Sequence, residues 1–128
     1  MHTVYRLPYR PPLAWDELLR HLANRPLRGV EIRDGDTYRR TVRVGDSVGV
    51  VSIENLPNEN ALAVTVSGEH AAHSSDAVLN RTAQVFDVNA DPAAIGSVLG
   101  DLAADCPGLR VPGSFDPFET LVRAILGQ

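Results

Sequence analysis

The chain has 128 residues, 44% hydrophobic and 22% charged, which suits one domain or one domain and the beginning of another. Residues 1–43 hold nine arginines against five acidic residues, residues 44–128 hold three against eleven, and the net charge is −4. This balance argues against a protein that binds DNA over its whole surface. The single cysteine, Cys106, excludes an internal disulfide and a cysteine-cluster metal site.

The first part of the chain predicts a strand, a helix and four further strands. TVYRLPY is typical of a strand, and prolines 8, 11 and 12 halt it. The helix that follows lacks a capping side chain at Ala14, ends at Asn24 and Pro26, and carries an apolar stripe of Trp15, Leu18, Leu19 and Leu22. Turns then recur about every ten residues between four runs, which indicates an antiparallel meander: GVEIRD, TYRRTVRV, SVGVVSIE and ALAVTVSG.

The run SVGVVSIE breaks the alternation expected of a half-buried strand. Val48 and Val50 fall in one phase, and Val51 and Ile53 fall in the other. This pattern indicates either a β-bulge or a strand that is apolar on both faces.

Two helices are predicted between Glu69 and the linker GLRVPGSF. Ser75 is the candidate cap of the first, whose stripe comprises Val78, Leu79, Thr82, Ala83 and Phe86. Asp91-Pro92 opens the second, Pro107-Gly108 ends it, and its stripe comprises Ile95, Val98, Leu99 and Leu102.

A last helix begins with a predicted capping box, in which Asp116 caps, Pro117 takes the first position and Glu119 reaches back. Its apolar stripe comprises Phe118, Leu121, Val122, Ile125 and Leu126. Only the predicted helix over 91–105 is free to receive this stripe, and two helices make a poor core. We therefore expect the sequence to stop where a second, helical domain begins.

Together these elements predict an α+β fold, an antiparallel sheet of about five strands with two helices on one face, in the order strand, helix, four strands, helix. This domain takes residues 1–87. Residues 88–128 are expected to hold the linker and the first helices of an all-α domain.

No motif for catalysis, metal binding or cofactor binding is found in the chain. Glu69, His70 and His73 have helical ligand spacing, but nothing else completes a metal site. His21 borders the apolar face of the first helix, which favours a half-buried structural imidazole. We predict no metal, no cofactor and no catalytic residue among these 128 positions.

The segment PGLRVPGSFDPFETLVRAILGQ closely resembles the domain junction of AlkA-type DNA-3-methyladenine glycosylases (type II). The resemblance extends, in the same order, to FDVNADPAAI, RTVRVGDSVGVVSI and PPLAWDELLRHLANR, and so covers essentially the whole chain. Residues 108–128 are its most specific part.

The resemblance implies a small α+β domain, similar to half of a TATA-binding protein, that precedes a helix-hairpin-helix domain. In that family the helical domain binds double-stranded DNA, flips out an alkylated base, and uses an aspartate to hydrolyse the N-glycosidic bond. That aspartate corresponds to a position beyond residue 128, so the resemblance implies that this chain alone is inactive. Gln128 corresponds to a glutamine at the edge of the base pocket, and His21 to an aromatic residue that the small domain lends to it.

A second interpretation is a stand-alone ligand-binding or dimerisation module, in which the exposed terminal helix pairs with a second copy. On either interpretation we predict a cytoplasmic protein without a membrane partner, since no apolar run approaches about 18 residues and MHTVYRLPYR lacks the apolar core of a secretory signal.

Overall fold

The computed structural model describes residues 2–68 and 71–127, without the side chains of residues 71–74. Its five strands form one antiparallel sheet in the order β1-β5-β4-β3-β2. Their bounds are β1 His2–Pro8, β2 Glu31–Asp34, β3 Thr37–Val44, β4 Ser47–Leu56 and β5 Ala61–Ser67. The helices are α1 Trp15–Leu22, α2 Ala71–Val85, α3 Pro92–Leu99 and α4 Pro117–Leu126. The predicted α+β class and order of elements are confirmed.

One face of the sheet and the helices α1 and α2 enclose the hydrophobic core. Side chains alternate across a strand, so every second residue of β3, β4 and β5 points inward. The core combines these residues with the apolar stripes of the two helices: Tyr38, Val42, Val51, Ile53, Val64, Val66, Trp15, Leu18, Leu19, Val78 and Phe86. The opposite face of the sheet lies open to solvent and carries Val4, Ile32, Val48 and Val50.

The structure resolves the two alternatives for β4. Its register is continuous with β3 from Ser47 to Glu54 and with β5 from Val50 to Leu56. Val51 and Ile53 are buried, whereas Val48 is 53% exposed and Val50 is 40% exposed. The strand is therefore apolar on both faces, and the bulge is wrong.

Helix α1 begins without a side-chain cap, as the sequence indicated at Ala14. Two other features compensate for the missing cap. Asp16 and Glu17 lie in the first turn, where carboxylates interact favourably with the helix dipole. The Trp15 indole Nε1 donates to the Asp36 carbonyl at 2.9 Å, which ties the helix start to the β2–β3 turn.

Two predicted helix boundaries are wrong. Ser75 does not cap α2, because the helix already begins at Ala71 and Ser75 lies inside it, buried. Helix α3 opens at Asp91, whose carboxylate accepts from the amides of Ala93 and Ala94, but it ends at Leu99 rather than near Pro107. Gly100 adopts a positive φ of 53° there, which breaks the helical path before a short 3-10 turn over Gly100–Ala103.

Candidate functional site between the sheet and the last helix

Helix α4 faces the sheet with its polar side. Asp116 caps the helix as predicted, with its carboxylate accepting from the Glu119 amide at 3.1 Å. The Glu119 carboxylate does not complete the expected capping box; it instead binds the guanidinium groups of Arg40 and Arg123. The sheet-facing side of α4 is therefore charged.

Four charged side chains form a cluster between β2, β3 and α4, which we call the junction cluster: Glu31, Arg40, Glu119 and Arg123. Arg40 Nη2 lies 2.8 Å from Glu119 Oε2, and Arg123 Nη1 lies 2.7 Å from Glu31 Oε1. Only 2% of the Glu31 side chain and 7% of the Arg40 side chain are exposed. Such burial is tolerated because each charge has an opposite partner and further hydrogen bonds.

Glu31 is the most enclosed member of the junction cluster. One of its oxygens accepts from Arg123 and from the Leu27 amide, and the other accepts from the Tyr38 hydroxyl. Burial raises the pKa of Tyr38, and the hydrogen bond and negative charge of Glu31 raise it further. Tyr38 therefore stays protonated as a donor at neutral pH.

Arg40 is held as a cation despite its position inside the domain. Burial by itself would lower its pKa, but the bonds to Glu119 and the interactions with Tyr38 raise the pKa overall. Its guanidinium also lies 5.0 Å from the ring centroid of Phe115, a cation–π contact. Both carboxylates of the cluster are thus bound to guanidinium groups, so neither is a free general base.

A cavity of about 360 Å³, which we call the junction cavity, lies beside the cluster. It is lined by the C-terminal end of α1 and the residues after it, the first residue of β2, the first half of β3, the linker and α4. His21 lies on its wall. The side chain is exposed, so the residue-based interpretation of a half-buried structural imidazole is wrong. Gln128, the other predicted site residue, lies outside the described residues.

Sequence reasoning missed the junction cluster, although two signals were present. In the strand TYRRTVRV, Arg40 stands in the inward phase between Tyr38 and Val42, where an apolar residue is expected. On α4, Glu119 and Arg123 have the i, i+4 spacing of an ion pair on the side of the helix away from the apolar stripe.

The linker before α4 is fastened to the α+β domain. Arg110 is buried and donates to the carbonyls of Asp87, Arg10 and Pro12, so one guanidinium ties the linker to two other segments, the one after β1 and the one after α2. Gly108 approaches the Pro12 carbonyl so closely that a Cβ would lie 2.4 Å from its oxygen. The linker therefore follows a defined path along the domain up to the start of α4.

The predicted apolar stripes of α3 and α4 do not pack into this chain's core. On α3, Val98 is 84% exposed and Leu102, just after the helix, is 87% exposed. On α4 the exposed members are Phe118, Leu121, Ile125 and Leu126. The structure leaves two apolar surfaces without a partner within residues 2–68 and 71–127.

No group of three metal-ligating side chains is found among the residues that the structure describes. Glu69 and His70 lie outside them, as does the side chain of His73. Each helix within the same described ranges is too short or too polar to cross a bilayer.

Comparisons of sequence and of fold with known proteins identify relatives whose names agree with one another. A sequence model of the AlkA N-terminal domain family matches residues 4–116. The DNA-3-methyladenine glycosylase 2 of Escherichia coli is 35% identical over 98% of this chain, which spans 44% of that protein. A Mycobacterium tuberculosis protein named as a probable bifunctional transcriptional activator and DNA repair enzyme AlkA is 36% identical over 96% of the chain, which spans 25% of it.

Among solved structures, the chain is similar in fold to a 3-methyladenine DNA-glycosylase from Archaeoglobus fulgidus, with a TM-score of 0.79 and 17% identity. The match covers 97% of this chain and 44% of that one. The chain thus spans less than half the length of these relatives.

Proposed function

The chain belongs to the AlkA N-terminal domain family, and on that basis we propose that it is the N-terminal part of a base-excision-repair DNA glycosylase. The proposed enzyme hydrolyses the N-glycosidic bond of alkylated bases such as 3-methyladenine in double-stranded DNA. The support is the E. coli relative, named as a DNA-3-methyladenine glycosylase, which is 35% identical across nearly all of this chain.

The exposed apolar side of α4 is the structural observation that carries the proposal. Helix α4 leaves Phe118, Leu121 and Ile125 in solvent. Further helices could pack against this apolar side, since burial of apolar surface is favourable. The longer relatives have additional chain to supply them. We propose that residues 1–87 form the α+β domain and that residues 88–128 begin the helical domain.

The proposed chemistry places the reacting groups outside this chain. A glycosidic bond is unreachable inside the base stack, so the base must be flipped into a pocket before hydrolysis. A carboxylate in the helical domain would stabilise the oxocarbenium-like sugar and position water, without a metal. The cationic alkylated base leaves readily, which reduces the transition-state stabilisation that the protein must supply.

This chain would contribute the rim of that pocket. His21 is exposed on the wall of the junction cavity and takes no part in the hydrophobic core, so its ring is free to contact a base. Gln128 is proposed to stand at the edge of the same pocket. Both assignments come from the family resemblance, and the exposure of His21 supports the first.

The experiment is release of radiolabelled 3-methyladenine from methylated duplex DNA. We expect release by the polypeptide of the complete reading frame that carries this sequence, and none by residues 1–128 alone. Release by the 128-residue chain would overturn the proposed division of labour. If the longer protein released nothing and the short chain formed a stable dimer, a dimerisation module would be the better account.

A further inference from the structure

We propose that the junction cluster is an orienting clamp that fixes the direction of α4 relative to the sheet, with Arg123 as its positioning residue. The inference rests on the proposed function only in that the helical domain oriented in this way is the one proposed above. The clamp itself is a property of the described residues.

Arg123 is suited to this role because its guanidinium bonds two separate segments. Nη1 donates to Glu31 on β2 at 2.7 Å, and Nη2 donates to the Arg25 carbonyl, after α1, at 2.6 Å. A guanidinium is a rigid planar fork, so two such bonds define both the rotation and the tilt of the helix that carries it.

Arg40 supplies the second point of attachment, one helical turn from the first. It binds the Glu119 carboxylate through both Nη atoms, at 2.8 and 3.4 Å. The same guanidinium lies over the ring of Phe115, the buried residue that ends the linker. The start of α4 and its second turn are therefore held by side chains from two adjacent strands.

The choice of polar rather than apolar contacts is the reason to assign orientation to this cluster. Burying ion pairs stabilises a fold no better than packed hydrophobic side chains would, because desolvation offsets the attraction. Helix α4 has an apolar stripe that could have packed on the sheet, yet Leu121 and Ile125 on that stripe are 58% and 64% exposed. The directional charged contacts on the sheet-facing side of α4 leave its apolar stripe exposed for packing with another element and hold that stripe in one orientation.

The fixed direction matters because α4 ends at Leu126, close to the point where the proposed helical domain would continue. With α4 held in one rotation and tilt, the helices proposed to follow it would start from one place relative to His21 and the junction cavity. In the proposed glycosylase, the cluster would thereby set the separation of the two pocket edges that different domains supply.

The test is the orientation of α4 in the 128-residue chain, measured by residual dipolar couplings of its amides relative to those of the sheet. We expect Arg123→Ala to leave α4 helical but to scatter its orientation, and to make its amides exchange with solvent about tenfold faster or more, the size expected for losing charge-assisted hydrogen bonds. Couplings that still fit the parent orientation in Arg123→Ala would overturn the proposal.

Arg20→Ala is the matched control. Arg20 also pairs with an acidic residue one turn earlier on a helix, Asp16, but its side chain is 69% exposed. We expect this variant to leave the couplings of both α1 and α4 unchanged. A change in α4 equal to that of Arg123→Ala would show a general loss of charge and would also overturn the proposal.

Arg123→Lys decides the matter if Arg123→Ala fails to fold. Lysine keeps the charge beside Glu31, but a single ammonium cannot reproduce the two-directional fork. We expect a folded protein whose α4 orientation is altered, and an unaltered orientation would contradict the proposal. These measurements involve neither DNA nor base release, so the clamp can fail while the glycosylase assignment stands, and the reverse.

Discussion

The guanidinium of Arg123 and the carboxylate of Glu31 lie 92 positions apart in the sequence, and their Nη1 and Oε1 atoms lie 2.7 Å apart in the fold. The contact joins the last helix to β2, an edge strand of the sheet. The Glu31 side chain is almost completely enclosed, so its buried negative charge needs the cationic partner that Arg123 supplies. Helix α4 is consequently part of the described domain on one side and an unpartnered apolar surface on the other.

Phe115 and Phe118 provide a direct test of this two-sided arrangement. Phe115 is 4% exposed and packs against Tyr38 and Phe86, whereas Phe118 is 75% exposed. We expect Phe115→Ala to lower the free energy of unfolding by about 3–5 kcal/mol, the cost of a large cavity in a core. We expect Phe118→Ala to change it by less than about 0.5 kcal/mol. Urea unfolding followed by Trp15 fluorescence measures both, and equal losses would contradict the structure.

Gly108 is predicted to resist substitution because of the segment that it touches. Its φ is 78°, and a Cβ would lie 2.4 Å from the Pro12 carbonyl oxygen. Gly29 has the same φ of 78° with open space around it, so Gly29→Ala measures the backbone strain alone. We expect Gly29→Ala to cost about 1–2 kcal/mol of stability and Gly108→Ala to cost clearly more. A Gly108→Ala variant as stable as Gly29→Ala would show that the linker does not lie against Pro12.

Tyr38 should make the fold sensitive to alkaline pH. Burial and the neighbouring Glu31 raise the pKa of Tyr38 above the ordinary tyrosine value of about 10, so in the folded state it keeps its proton where the unfolded chain releases it. Stability is therefore fully present below pH 10 and falls as the pH rises further, by up to about 1.4 kcal/mol per pH unit. Tyr38→Phe removes this contribution, and its unfolding free energy should fall less steeply between pH 9 and 11. Parallel slopes for both proteins would contradict the assignment.

Local signals in the sequence predicted much of the fold. The turns at Gly35 and Gly45 separate runs of strand periodicity, and both turns lie between paired strands. Asp116 and Asp91 have the residue type and the following proline of a helix start, and both cap. Such features depend on the nearest few residues, which is why they can be read without the rest of the chain.

The remaining features depend on residues distant in sequence. Helical periodicity locates the apolar stripe of α4, but it does not say which side meets the sheet. That side is decided by Glu31 and Arg40, whose buried charges require partners that Glu119 and Arg123 supply. Ser75 is of a residue type that often caps helices, but it lies buried inside α2, which begins four residues earlier. The local signal thus fails at Ser75, and tertiary contacts override it on α4.

The reactivity of a thiol placed on the outer face of α4 tests most directly whether that face is a docking surface. We would introduce Leu121→Cys, in a Cys106→Ser background, into the 128-residue chain and into the protein of the complete reading frame. Val48→Cys, on the open face of the sheet, is the control. The exposures of the two parent side chains are similar, 58% for Leu121 and 53% for Val48. We expect the thiol at position 121 to react rapidly in the short chain and to be strongly protected in the longer protein, while the control thiol reacts equally in both. Equal reactivity at position 121 in the two proteins, or protection of this thiol in the short chain alone, would contradict this expectation.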